Sequence, residues 1–116
     1  MKRLGCVIGV NPNKLEEYKK LHSDVWPGVL AMIKACNIRN YSIYYRDGML
    51  YSYYEYVGDN YKADMDKMAA DPITQEWWKL CSPCQVPIKD RKSGEWWAEM
   101  EEVFHCDLSL IHISEP

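Results

Sequence analysis

Residues 41–57, YSIYYRDGMLYSYYEYV, decide the fold because two tyrosine-rich runs in them flank Asp47-Gly48. An Asp-Gly pair between such runs is the strongest short-range signal of a two-residue hairpin turn. The sequence therefore predicts two antiparallel strands, at residues 41–46 and 49–57.

Aromatic side chains fall on both faces of the first of these strands. Successive side chains of a strand point to opposite faces of the sheet. One face then carries Tyr41, Ile43 and Tyr45, and the other carries Ser42 and Tyr44. A sheet without a polar face needs a cover on both sides, so we expect helices on one side and a ligand or another subunit on the other.

The elements before the hairpin are a strand and a helix. Residues 4–10 are apolar and β-branched, as in a buried strand. Asn11-Pro12 then supplies a helix cap followed by proline at the first helical position. Pro27 removes one backbone hydrogen bond, so this helix should kink or restart near Ser23 and end near Cys36.

The segment after the hairpin repeats the helix signals. Asp59 can cap a helix that runs to Ala70, and Asp71-Pro72 opens a short helix that holds Trp77-Trp78. Residues 82–95 contain two prolines and a glycine and are predicted to form a loop. Residues 96–106 are predicted to form the closing strand.

The order strand, helix, strand, strand, helix, strand is that of the ferredoxin-like βαββαβ fold, which belongs to the α+β class. It predicts a four-stranded antiparallel sheet with helices on one face. The other, aromatic face would be a liability in a small monomer, so we expect a homodimer formed through that face. Residues 1–107 are interpreted as a single ferredoxin-like domain, and residues 108–116 as a tail to which no role is assigned.

Composition argues against several classes of partner. The formal net charge is −3 and the lysines are scattered, so no basic stripe is available for nucleic acid. No apolar run approaches the roughly 18 residues of a membrane-spanning helix, and no signal peptide is recognised. The five cysteines are odd in number and lie mostly inside predicted elements, which indicates a reducing, cytoplasmic location.

A histidine lies among aromatic residues in EEYKKLHSDVWP, residues 16–27, where His22 is four residues from both Tyr18 and Trp26. On a helix these side chains share one side with Leu15, and that side should face inward. A titratable ring on such a stripe is either a packed core residue or the centre of a site, and both interpretations stay open at this point. In a cleft, the ring could exchange a proton near neutral pH, with Tyr18 orienting it or bonding the substrate.

Trp77 and Trp78 are adjacent on a predicted helix, where neighbours point about 100° apart and cannot both enter one core layer. The second ring is either a partly exposed residue or a stacking wall for a ring-shaped ligand such as a sugar. Nine tyrosines and five tryptophans against one phenylalanine favour walls that are partly apolar and partly polar. Such walls suit a sugar or another polar small molecule.

Four possible zinc ligands occur together in the second half of the sequence: Cys81, Cys84, His105 and Cys106. The last two are neighbours on a predicted strand and would point to opposite faces, so we expect no metal site. A redox role for the pair Cys81 and Cys84 is not favoured, because the pair follows a helix and gains nothing from a helix N-terminus.

The words EEYKKLH-SDVWP, RNYSIYY, EWWKL and EEVF, in that order across about residues 4–106, resemble the L-rhamnose mutarotase family. The resemblance implies a dimeric ferredoxin-like fold and a cofactor-free aldose 1-epimerase that interconverts the α and β anomers of L-rhamnose by acid–base ring opening. It makes His22 the catalytic proton donor. It also implies sugar contacts for four other residues, Tyr18, Tyr41, Trp77 and Trp78.

Two features depart from the pattern of that family. Residues 81–93 and the pair Trp96-Trp97 do not match it, so a related deoxy sugar is an alternative substrate. Dimeric ferredoxin-like folds also include small monooxygenases, which are an alternative class. A non-catalytic sugar-binding module is a further alternative.

Overall fold

The computed structural model describes residues 1–108, so the tail of residues 108–116, apart from Leu108, lies outside the described residues. The strands and helices, in chain order, are β1 (Lys2–Val10), α1 (Leu15–His22), α2 (Pro27–Ala35), β2 (Ile38–Arg46), β3 (Met49–Tyr56), α3 (Tyr61–Ala70), α4 (Pro72–Cys81), β4 (Gln85–Val86) and β5 (Ala98–Met100). Short 3₁₀ turns precede α1, at Pro12–Lys14, and follow α4, at Ser82–Cys84.

The strands form one antiparallel sheet in the order β2–β3–β1–β4, and β5 also pairs with β1. The first strand is therefore central, as in the ferredoxin-like fold, and the predicted α+β class is confirmed. The hairpin is present as predicted: Asp47 and Gly48 have φ of +50° and +83°, the positive values that a type I′ turn requires.

The predicted closing strand, residues 96–106, is wrong in its extent. Only Ala98–Met100 pairs with β1, and the segment predicted to be a loop supplies the second short strand, β4. Beyond Met100 a side-chain pair replaces the backbone ladder, because Arg3 donates two hydrogen bonds to Glu102, at 3.1 and 2.9 Å. The fourth position of the sheet is thus shared by two strands, with residues 87–97 between them.

The core lies between the helices and one face of the sheet. From Leu4 onward, the even-numbered residues of β1 point to this face and are buried, namely Leu4, Cys6, Ile8 and Val10. The main cluster joins β1 and β3 to α1, α2 and α4 through Ile8, Val10, Tyr18, Val29, Leu50, Trp77, Cys81 and Cys84. A second cluster packs Met65 and Met68 of α3 on Leu4, Ile38 and Tyr56, so the helices cover a single face as predicted.

The helix boundaries follow the capping residues. The predicted break before Pro27 is confirmed, since α1 ends at His22 and α2 starts with that proline. Asp71 caps α4 by accepting the backbone N–H of Thr74 at 2.9 Å. The predicted start at Asp59 is wrong, because the side chain of Asn60 accepts the N–H of Ala63 and caps α3. No helix within residues 1–108 is long and apolar enough to span a membrane.

Candidate functional site

A cavity of about 660 Å³ lies between the helices and the covered face of the sheet. Its volume is in the range of sites that bind small molecules. All five residues singled out from the sequence line it: Tyr18, His22, Tyr41, Trp77 and Trp78. Residues that are far apart in the chain, on α1, β2 and α4, therefore share one cavity.

The ring of His22 is held on two sides. It stacks on Tyr18, with ring centroids 4.2 Å apart and planes 21° from parallel. Trp77 meets it edge-on at 5.4 Å and 64°. Its Nδ1 lies 2.9 Å from the carbonyl oxygen of Tyr18, one helical turn earlier. A carbonyl only accepts, so Nδ1 carries the hydrogen and the orientation of the ring is fixed.

This hydrogen bond also decides which nitrogen of the imidazole carries the proton. In the neutral ring, a proton on Nδ1 leaves Nε2 as an acceptor. Burial lowers the pKa of His22 below its ordinary value of 6.5, and the bond to the Tyr18 carbonyl opposes this shift in part. Since the neutral form therefore prevails at pH 7, Nε2 is a nitrogen that can take up a proton from a ligand.

The hydroxyl of Tyr18 belongs to a chain of polar groups at the β4 end of the cavity. Gln85 Nε2 lies 3.3 Å from that hydroxyl, and Gln85 Oε1 accepts the indole N–H of Trp96 at 2.7 Å. Burial raises the pKa of Tyr18 to about 12, and the bond to Gln85 opposes this rise. The phenol of Tyr18 therefore keeps its proton across the physiological range.

Tyr41 reaches the cavity through an irregularity in β2. Arg39 lies opposite Glu55 and Ser42 opposite Tyr53, so the two residues between them share a single partner in β3. Asn40, the other residue of this bulge, has φ +51°. The ring of Tyr41 packs on Tyr54 at 5.3 Å, while 43% of the residue stays exposed.

The two adjacent tryptophans differ in burial, as their 100° separation predicts. Trp77 is 5% exposed and packs edge-on against Trp26 at 5.2 Å. Trp78 is 41% exposed. Both nevertheless contribute to the cavity wall, so Trp77 serves the core and the site together.

Sequence analysis missed Gln85 as a site residue and gave no role to Trp96 and Trp97, which all line the cavity. The pair Trp96-Trp97 could have been identified from the sequence, since it departs from the family pattern. Gln85 had no local signal, because its place depends on the pairing of Gln85 with Val10.

The structure describes all four residues that were considered as zinc ligands. Cys81 and Cys84 are buried, and Cys106 is exposed. Among the residues that the structure describes, no group of three or more His, Cys, Asp or Glu side chains is arranged to hold a metal ion.

Fold and cavity together define a ferredoxin-like α+β protein with an aromatic, small-molecule cavity built around one imidazole. The family model for L-rhamnose mutarotase matches residues 3–106, and the chain belongs to the L-rhamnose mutarotase family. It is 36% identical over 109 residues to L-rhamnose mutarotase of Oceanobacillus iheyensis and 34% identical to that of Bacillus subtilis, in each case over 92% of this chain and 100% of the relative.

Solved structures agree on the fold. The crystal structure of L-rhamnose mutarotase from Formosa agariphila superposes with a TM-score of 0.71 and 21% identity, over 92% of this chain and 100% of that one. Tetracenomycin F2 cyclase from Streptomyces glaucescens, a type II polyketide cyclase, superposes with a TM-score of 0.63 and 14% identity over the same shares.

Proposed function

We propose that this protein interconverts the α and β anomers of L-rhamnose, or of a closely related deoxy sugar, without a cofactor. Family membership across residues 3–106 supports the reaction and the sugar. The observation that carries the mechanism is the convergence of His22, two tyrosines and the tryptophan pair on one cavity.

The proposed reaction needs only two proton transfers. Nε2 of His22 accepts the proton of the anomeric hydroxyl while a phenol donates a proton to the ring oxygen. The bond between C1 and the ring oxygen breaks, and C1 becomes an aldehyde carbon. After rotation about C1–C2, the freed hydroxyl attacks the other face of the carbonyl and returns its proton to the phenolate. His22 gives its proton back to the carbonyl oxygen, so it is the acceptor in ring opening and the donor in ring closure.

The aromatic walls fit a sugar in this proposal. The C–H groups on one face of a pyranose pack on an indole, while its hydroxyls reach polar edges of the cavity. Trp77 and Trp78 supply indole surface on α4, and Tyr41 supplies a hydroxyl from the sheet. The apolar parts of the same walls suit the methyl group of a deoxy sugar.

Saturation-transfer NMR of the anomeric protons tests the function directly. Adding the protein should speed α–β exchange of L-rhamnose above the buffer rate, and a parallel measurement with L-fucose tests a related sugar. An exchange rate that stays at the buffer value for both sugars would rule the function out. Sugar that quenches tryptophan fluorescence without any exchange would indicate a binding module, and oxygen consumption with an aromatic substrate would indicate a monooxygenase.

We also propose that two copies pair through the face of the sheet that the helices leave uncovered. Tyr44, Tyr51 and Met100 lie on this face and are 66%, 39% and 39% exposed, which supports burial against a partner. Light scattering should give twice the monomer mass of 13.7 kDa, and Tyr51→Lys should favour the monomer while Leu80→Lys on α4 should not. A wild-type protein that stays monomeric at micromolar concentration would contradict this.

A cytoplasmic location completes the proposal. All five cysteines are free and four of them are buried, which supports a reducing compartment. Mass spectrometry of protein isolated from its native cells under alkylating conditions should therefore find five free thiols. A disulfide in that material would contradict the location.

A further inference from the structure

Gln85 connects Trp96 to the cavity, and its amide has one defined orientation. An indole N–H only donates, so the atom of Gln85 that lies 2.7 Å from Trp96 Nε1 is the carbonyl oxygen. The amide nitrogen must then face the hydroxyl of Tyr18, at 3.3 Å. The choice between oxygen and nitrogen is thus settled by the chemistry of the two partners.

The orientation of this amide decides what the Tyr18 hydroxyl can do. A phenol has one hydrogen to donate and lone pairs to accept. Because Gln85 approaches with an N–H, the hydroxyl of Tyr18 accepts there and its own hydrogen remains available for another acceptor. Tyr18 also lines the cavity, so this hydrogen is available to a sugar that is bound there.

Tyr18 and His22 are coupled by further contacts on α1. The two rings stack at 4.2 Å, and the backbone carbonyl of Tyr18 fixes the proton on Nδ1 of His22. One residue therefore offers a hydrogen through its side chain and, through its carbonyl, keeps the neighbouring imidazole ready to accept one. These are the two complementary protonation states that ring opening requires.

We infer that Tyr18 is the group that protonates the ring oxygen, and that Gln85 and Trp96 are positioning residues that make it a donor. This inference rests on the proposed function and extends it to the partner of His22, since the resemblance makes His22 the proton donor and does not identify the group opposite it. The step is balanced, since the phenol proton goes to the ring oxygen while Nε2 of His22 takes the anomeric proton. Both return on closure.

Gln85→Glu is the informative substitution, because it changes hydrogen bonding with almost no change in shape. At neutral pH a carboxylate only accepts, so it would take the hydrogen of Tyr18 as well as that of Trp96. A general acid contributes about 10²- to 10⁴-fold, and we expect the exchange rate of this variant to fall at least tenfold at pH 7. Gln75→Glu, on an exposed glutamine of α4, is the matched control and should leave the rate unchanged.

The pH dependence separates this role from a loss of structure. Protonation of the introduced carboxylate would restore a donor facing Tyr18, so the ratio of the Gln85→Glu rate to the wild-type rate should rise as pH falls toward the carboxyl pKa. A rate equal to wild type at pH 7, or a ratio that does not change with pH, would overturn the inference. If the wild type itself catalyses no exchange, the proposed function fails instead.

Trp96→Phe provides a second test if the charged variant does not fold. It removes the indole N–H while keeping an aromatic ring, so the Gln85 amide is free to turn and accept from Tyr18. We expect kcat to fall severalfold with KM within about twofold. The indole N–H resonance of Trp96 should shift in Gln85→Met. An unchanged kcat in Trp96→Phe would contradict the positioning role.

Discussion

Tyr18 and His22 form a unit on one turn of α1, in which the tyrosine ring stacks on the imidazole and the tyrosine carbonyl accepts the Nδ1 proton. The geometry follows from their spacing of four residues, which places both side chains on one side of a helix. It selects Nε2 as the acceptor nitrogen of the neutral imidazole and holds the ring in a fixed plane.

Removal of the imidazole should abolish most of the catalysis. We expect His22→Asn to slow anomer exchange by about 10²- to 10⁴-fold, the usual contribution of a general acid or base. Saturation-transfer NMR with L-rhamnose gives the rate, and thermal melting checks the fold. His105→Asn, at an exposed histidine outside the cavity, serves as the control. A His22→Asn variant as fast as wild type would remove this residue from the mechanism.

The pH profile of exchange should show one acid limb. The pKa of His22 is lowered by burial, so its acceptor form is complete above pH 6.5 and is lost as pH falls through a value below 6.5. The pKa of Tyr18 is about 12, so this phenol should cause no decline between pH 7 and about 10. Rates corrected for spontaneous exchange test both the acid limb and the alkaline plateau. A rate that rises on acidification through pH 6 would show that the imidazolium is the working form.

The paired tryptophans should separate stability from binding. Trp77→Ala removes a buried ring and should lower the free energy of unfolding by about 3–5 kcal/mol. Trp78 is 41% exposed, so Trp78→Ala should cost about 0.5 kcal/mol or less. The loss of stacking, about 1 kcal/mol, should raise its KM for the sugar roughly fivefold. Urea unfolding and exchange kinetics measure the two effects, and equal stability losses would contradict this division.

The close packing of β4 against β1 should leave no room for a side chain at Gly9. A Cβ there would lie 2.7 Å from the carbonyl oxygen of Val86, so Gly9→Ala should displace β4 and with it Gln85. We expect a loss of about 1–3 kcal/mol in unfolding free energy together with slower exchange. Gly5→Ala on the same strand is the control, since its Cβ would meet only the end of Met100, at 3.4 Å, and Ser52 O, at 3.9 Å. Equal behaviour of the two variants would refute the steric argument.

Asp64 should make α3 sensitive to acid. It accepts hydrogen bonds from the Tyr56 hydroxyl and from Asn37 Nδ2, and these lower its pKa. Its contribution to stability is therefore complete above the ordinary carboxyl pKa, near 4, and is lost as pH falls through the lower folded value. Urea midpoints at pH 6 and pH 3 should converge in Asp64→Asn more than in Asp66→Asn, whose carboxylate pairs with Lys62 on the surface. Identical acid dependence of the two variants would contradict this contribution of Asp64 to stability.

Much of the fold could be predicted from local signals. The turn at Asp47-Gly48, the cap at Asp71 and the restart at Pro27 each depend on the conformational limits of one or two residues. The sharing of the sheet edge by β4 and β5 could not be predicted from local signals. It depends on the contact of Gly9 with Val86 and on the pairing of Arg3 with Glu102, and both join residues that are distant in sequence.

The candidate site could likewise be predicted only in part. Tyr18 and His22 could be predicted to share a surface because four residues separate them on one helix. The meeting of this surface with Trp77 is implied by the family resemblance and not by periodicity. Gln85 could not be identified, since its amide acquires a role only when Tyr18 and Trp96 are brought to its two ends.

The segment that connects β4 to β5 can vary without a change in the sheet. Residues 87–97 belong to no strand, yet they end in two tryptophans that face the ligand space. Doubling the length of such an excursion costs only about 0.6 kcal/mol in closure entropy. Residues 87–95 can therefore change in length or composition, and with them the position of the adjoining cavity wall, while Trp96, β4 and the helix α1 are kept.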